Sequence, residues 1–122
     1  MANILVVDDE EGDQFGMTAM LEGAGHKVIA AASGHDALRL YLEHPIHVVV
    51  TDIVMPEGDG LDLISRLRSI KPDAAIIAVS GKGRSGLSAA RSIGANQAFE
   101  KPVAPEELVQ AVATALGTSR TR

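Results

Sequence analysis

The sequence predicts an α/β domain whose parallel sheet is covered by helices on both faces. Three observations carry this. Apolar runs without alternation recur at Asn3–Val7 (NILVV), Val48–Val50 and Ala74–Ser80 (AAIIAVS), the signature of strands buried on both sides. Segments with helical spacing separate them, giving five βα units in strict alternation, with right-handed crossovers. The 122 residues suit one domain with its own core. At this size the natural arrangement is the flavodoxin-like (βα)5 sandwich with strand order 2-1-3-4-5, in which strands one and three flank the switch point.

The elements follow in order. Asn3–Val7 is the first strand and ends in Asp8-Asp9-Glu10. From Glu11 a helix is predicted, because Met17, Met20, Leu21 and Ala24 fall at i, i+3, i+4 and i+7, with Gly25 as its stop. Lys27–Ala32 is the second strand; Ser33 caps a helix over Gly34–Glu43 with a face of Ala37, Leu38 and Tyr41, ended by Pro45. Ile46–Asp52 is the third strand, followed by breakers at Pro56, Gly58 and Gly60. Leu61, Leu63, Ile64, Leu67 and Ile70 define a third helix stopped by Pro72. Ala74–Ser80 is the fourth strand, and the Gly81–Gly86 loop leads to a weak helix over Leu87–Ile93. Gln97–Glu100 is a short fifth strand. The last helix opens on Pro105, Glu106 and Glu107 and runs to Leu116. Its N-cap is Ala104, where serine would bond a free N–H, an omission costing about 0.5–2 kcal/mol. Residues 1–117 form the domain and 118–122 a flexible tail.

Composition narrows the function. With Lys+Arg 11 against Asp+Glu 16, the net charge of −5 argues against a nucleic-acid or anionic-membrane surface. The absence of cysteine removes disulfides, zinc thiolates and thiol nucleophiles. One Tyr, two Phe and no Trp make a poor platform for stacking bases or flavins. The acidic N-terminus is unlike a signal peptide, and no apolar run approaches ~18 residues. A cytoplasmic, stand-alone protein is the expectation.

Ligands bind at the carboxyl ends of strands in open α/β sheets. Asp8 and Asp9 close strand one, Asp52 strand three, Ser80 strand four and Lys101 strand five. Three carboxylates, a hydroxyl and an ammonium therefore converge. The carboxylates repel one another and raise each other's pKa unless a cation intervenes. Lys101 is one such cation. An all-oxygen, partly wet site also suits Mg²⁺.

These residues, with Met55-Pro56, Gly60, Ser80-Gly81 and Lys101-Pro102, make the chain resemble a receiver domain of the two-component response regulators from Asn3 to about Leu116. The resemblance implies that Asp52 accepts a phosphoryl group from a histidine kinase or histidine phosphotransfer protein. It implies Mg²⁺ held by Asp8, Asp9, Asp52 and the backbone carbonyl of Val54. Ser80 and Lys101 would contact phosphoryl oxygens, and the bond before Pro102 would be cis. Ser80, followed by the Gly81–Gly86 loop, would carry the conformational readout. Output would pass to an unknown protein through helix four, strand five and helix five, including Leu87–Ile93 and Glu106–Ala115. No direct nucleic-acid or membrane contact is implied, and the only reaction catalysed would be the chain's own phosphorylation and dephosphorylation.

One departure stands out. Receivers commonly carry Tyr or Phe three residues before the lysine; here that residue is Ala98. Phe99 should point to the opposite face by strand alternation. The change bears on output, and it sustains a rival reading as a phosphorylation-independent interaction module. Other rivals fail on named residues. Gly81-Lys82-Gly83-Arg84-Ser85-Gly86 matches GxGxxG but does not lie in the first βα unit, where a dinucleotide fold needs it. It reads better as a loop whose Lys82 and Arg84 meet a partner. A haloacid-dehalogenase-type phosphatase wants an acid two residues after the nucleophile, where this chain has Val54. His44 and His47 sit across a helix end and a proline, poor geometry for a metal.

Overall fold

The computed structural model describes residues 2–55, 60–81 and 84–119. The breakers at Pro56 and Gly58, Lys82 of the Gly-rich loop and residues 120–122 of the expected tail lie outside them. Ten elements alternate: β1 (Asn3–Val7), α1 (Glu11–Gly23), β2 (Lys27–Ala31), α2 (Gly34–Glu43), β3 (Val48–Asp52), α3 (Gly60–Ile70), β4 (Ala75–Ser80), α4 (Arg84–Ile93), β5 (Gln97–Glu100) and α5 (Pro105–Ser119). The strands are parallel, in the order β2-β1-β3-β4-β5. The flavodoxin-like arrangement expected from the sequence is the one observed.

The apolar runs are buried because each strand offers alternate side chains to two separate cores. Ile4, Val6, Val48, Val50, Ile77 and Val79 pack under α1 and α5 with Met17, Leu21, Leu108 and Val112. Leu5, Val7, Val49, Ile76 and Ala78 pack under α2, α3 and α4 with Ala37, Leu63, Ile64, Leu67 and Ala90. Burial on both faces makes the period-2 pattern vanish in β1, β3 and β4.

Differences from the expected boundaries have local causes. α1 stops at Gly23, so Ala24 is its C-cap rather than part of its buried stripe. Gly25 then takes φ +93°, a left-handed conformation costly for other residues. α4 begins at Arg84, three residues before the apolar stripe, and α5 runs three residues past Leu116, to Ser119. In β5, Ala98 pairs with Ala78 and Phe99 with Val79 in unbroken register. Ala98 packs on the α2–α4 side and Phe99 on the α1–α5 side, so no bulge brings the aromatic ring across the sheet. His47 is a structural partner: its Nδ1 accepts the Asn3 N–H at 2.9 Å.

Ala104 is the N-cap of α5, since its carbonyl accepts the Leu108 N–H at 3.1 Å. Half of a capping box is already present, because Glu107 Oε1 accepts the Ala104 N–H at 3.3 Å. Ala104→Ser supplies the missing half. It should raise stability by about 0.5–2 kcal/mol in urea unfolding, with an unchanged m-value.

Candidate functional site

The carboxyl ends of β1, β3 and β5 put the site together. Asp8 follows β1 and is fully buried. Its backbone is fixed on both sides: its N–H donates to the Ala31 carbonyl at 3.0 Å, and its carbonyl accepts from Gln14 Nε2 at 3.0 Å. Its side chain is equally constrained, with Oδ1 accepting the Glu10 N–H at 2.9 Å and Oδ2 accepting from Lys101 Nζ at 2.7 Å. Asp52 ends β3, only 6% exposed, and its Oδ1 accepts the Val54 N–H at 3.4 Å. Asp9, next to Asp8, is exposed.

Carboxylate oxygens of Asp8, Asp9 and Asp52 all lie within 4.8 Å of one another. Two are buried and one is open to solvent, a hard-oxygen set that fits a divalent cation retaining some of its waters. Asp9, Asp52, Val54, Gly81 and Lys101, with Glu10 and Asp13, line a cavity of about 260 Å³ over these groups.

Lys101 reaches this cluster from the end of β5. Its backbone N–H donates to the Ser80 carbonyl at 2.8 Å, and the Lys101–Pro102 bond is cis. The ammonium lies 2.7 Å from Asp8 Oδ2, 2.8 Å from Asp13 Oδ2 and 3.4 Å from Asp52 Oδ2. Burial works against its charge, but the hydrogen bonds to Asp13 and Asp8 and the charge of Asp52 outweigh it and raise the pKa. Lys101 is therefore an obligate cation at neutral pH. Asp8 is shifted upward, chiefly by burial, with the Lys101 and Glu10 hydrogen bonds pulling the other way.

Ser80 ends β4 fully buried. Its Oγ lies 3.5 Å from where a Cβ on Gly86 would stand, against the first turn of α4. The structure thus brings Asp8, Asp9, Asp52 and Lys101 into one cluster, with Val54 on the cavity wall. Ser80 is held one residue behind Gly81, beneath α4.

Asp13 is the residue that the sequence reading missed. A signal was present. Asp13 lies one helical turn before Met17, the first residue of the buried stripe of α1. That spacing puts the carboxylate on the side of α1 that carries the stripe, at its exposed N-terminal end, with the side chain 47% exposed.

A parallel α/β sheet thus gathers three acids and one lysine at its switch point, where such folds bind ligands. Comparisons with known proteins identify the family. A family model described as the response regulator receiver domain matches residues 4–113, and the chain belongs to that family. The chain is 34% identical over 120 residues to the DNA-binding transcriptional regulator NtrC of Azospirillum brasilense, covering 97% of this chain and 25% of that protein. It is 34% identical over 110 residues to the response regulator SaeR of Staphylococcus aureus, covering 89% and 48% respectively. It thus spans from a quarter to about half the length of these relatives. Among solved structures, a response regulator receiver domain protein from Clostridium thermocellum superimposes with a TM-score of 0.92 at 32% identity, covering 98% of each chain. The beryllofluoride-activated NtrC4 receiver domain dimer gives 0.89 at 31% identity, covering 97% of this chain and 98% of that one. The phosphoacceptor role in two-component signalling is standard for this family, and the reading as a phosphorylation-independent module is not favoured. Receiver domains interact with histidine kinases and downstream effectors, and as a class they are not conventional enzymes.

Proposed function

We propose that Asp52 is the phosphoacceptor of this receiver and that Asp8, Asp9 and Lys101 are its catalytic surroundings. The observation that carries this reading is the Lys101 ammonium fixed between Asp8 and Asp52 at the ends of three strands. An oxygen of Asp52 attacks the phosphorus of a phosphohistidine; the O–P bond forms as the P–N bond breaks, and the electron pair leaves with the imidazole. Such a transition state needs positioning and positive charge around the equatorial oxygens more than covalent chemistry. Lys101 supplies charge from one side. Mg²⁺, held by Asp8, Asp9, Asp52 and the carbonyl of Val54, would neutralise the phosphoryl oxygens from the other. Asp52 lies on a rigid, fully paired strand, so the nucleophile is oriented before the donor arrives. The absence of an acid at Val54 leaves no general base two residues on, consistent with a site that holds the group rather than hydrolysing it as a phosphatase would.

Ser80 would hydrogen-bond the phosphoryl group once Asp52 is modified. Its hydroxyl lies against α4 near Gly86, so α4 would follow its movement. Output would pass through the α4–β5–α5 face, although Ala98, packed on the α2–α4 side of β5, supplies no aromatic side chain there. Ile93 is 38% exposed on α4. The donor would be a histidine kinase or histidine phosphotransfer protein and the receiver of the signal another protein. A cytoplasmic site of action accords with the finding that no helix among the described residues is long and apolar enough to cross a membrane. The receiver domain would occupy residues 1–117.

Incubation with acetyl phosphate and Mg²⁺ should give one phosphoryl adduct by intact mass, which does not form when a chelator replaces Mg²⁺ or in Asp52→Asn. An adduct that persists in Asp52→Asn would overturn the assignment.

A further inference from the structure

The Lys101 ammonium has three N–H donors, and the structure spends them unequally. The two short bonds go to Asp8 Oδ2 at 2.7 Å and Asp13 Oδ2 at 2.8 Å; Asp52 Oδ2 receives the long one, at 3.4 Å. Asp13 is not in the carboxylate group whose oxygens could share a cation, which consists of Asp8, Asp9 and Asp52. It stands apart on the first turn of α1, its side chain 47% exposed, and reaches Lys101 from the solvent side of the cluster. Its backbone N–H is taken by the Glu10 side chain at 2.9 Å, which fixes the start of the helix and aims the carboxylate at the lysine.

We propose that Asp13 is a positioning residue that holds the Lys101 ammonium away from Asp52 in the unmodified protein and must release it when a phosphoryl group arrives. This rests on the reading of Asp52 as phosphoacceptor and deepens it. While Asp8 also binds the ammonium, losing Asp13 changes little. Once a cation draws the Asp8 oxygens to itself, Asp13 becomes the main competitor for the lysine. The anion on Asp52 then gains the full charge-assisted bond to Lys101 only by breaking the bond to Asp13. Asp13 thus sets a threshold on acceptance that acts through Lys101 and appears when the metal site is filled.

The probe is beryllofluoride, an anionic phosphoryl mimic, titrated at saturating Mg²⁺ and followed by NMR or calorimetry. Asp13→Asn keeps the shape and removes the charge. It should tighten beryllofluoride binding about fivefold, the scale of one partly exposed ion pair of about 1 kcal/mol. Asp13→Ser should shift affinity in the same direction, and Asp13→Glu should return it to within about twofold of wild type. The gain should vanish in a Lys101→Met background, because the competition runs through the ammonium. Wild-type binding with no change in Asp13→Asn overturns the inference, as does weaker binding. An equal gain with and without Lys101 also overturns it, since Asp13 would then act only as a repelling charge. If wild-type protein itself shows no Mg²⁺-dependent binding, the phosphoacceptor reading fails instead.

Discussion

Gly60→Ala should lower the stability of the protein by about 3 kcal/mol or more and disable the site with it. A Cβ on Gly60 would overlap the backbone carbonyl oxygen of Asp52 and lie 2.7 Å from the Cα of Ile53. Both obstacles are main chain, so no side-chain rotation relieves them. The Gly60 N–H meanwhile donates to the Ile53 carbonyl at 2.8 Å, holding α3 against the end of β3. Either that bond lengthens or the carboxyl end of β3 moves, and Asp52 moves with it. Urea unfolding should show the loss, and beryllofluoride binding should weaken beyond what the unfolded fraction explains. Gly16→Ala is the contrast. Gly16 lies inside α1 with nothing within 4 Å of its would-be Cβ. That substitution should stabilise by about 0.5–1 kcal/mol through helix propensity alone. An equal gain at the two positions would show that the close approach of β3 does not constrain Gly60.

Lys101→Met should be the most destabilising change at the site itself. It leaves Asp8, wholly buried, and Asp52, nearly so, without the ammonium that links them. Removing one partner of a buried pair costs about 3 kcal/mol at neutral pH. The sign of the pH dependence follows from Asp8. Burial already raises its pKa in the folded state, and the loss of Lys101 removes the main influence opposing that rise. Between the unfolded value, 3.8, and the raised folded value, the folded protein holds a proton that the unfolded chain has released. The stability of the variant therefore falls as pH rises through that window, and its deficit against wild type shrinks on acidification. Saturating Mg²⁺ should also recover stability, by about 2.7 kcal/mol at a hundredfold excess over Kd. Melting temperatures across pH, with and without Mg²⁺, measure both effects. Phosphoryl acceptance should drop by a factor on the order of 10² to 10³, since charge at the transferring group is lost. A Lys101→Met protein as stable as wild type at pH 7 would mean that the cluster does not depend on this cation.

How much of this was readable in advance differs by element. β1, β3 and β4 were legible because burial on both faces leaves no polar residue to interrupt the apolar run. α2 and α3 were legible because a one-sided helix keeps its stripe: Ala37, Leu63, Ile64 and Leu67 are buried as their spacing required. The beginning of α4 was not, since Arg84-Ser85-Gly86 carries no apolar residue to mark a helical stripe. The divergence of Ala98 and Phe99 was legible too, because two-residue alternation leaves no other outcome in an unbulged strand.

The sequence by itself determined the order of the elements and the acids and lysine at their ends. Both follow from local patterning and from the rule that parallel strands open their carboxyl ends on one edge. Only the tertiary structure decided how Lys101 divides its bonds. Asp8, Asp13 and Asp52 are 93, 88 and 49 residues from it along the chain. No periodicity spans such separations, and distances of 2.7, 2.8 and 3.4 Å rank the partners only once α1, β1, β3 and β5 are packed together. Asp13 belongs to that second category: one turn ahead of a buried methionine, it passed for an ordinary first-turn acid until packing brought it to the lysine.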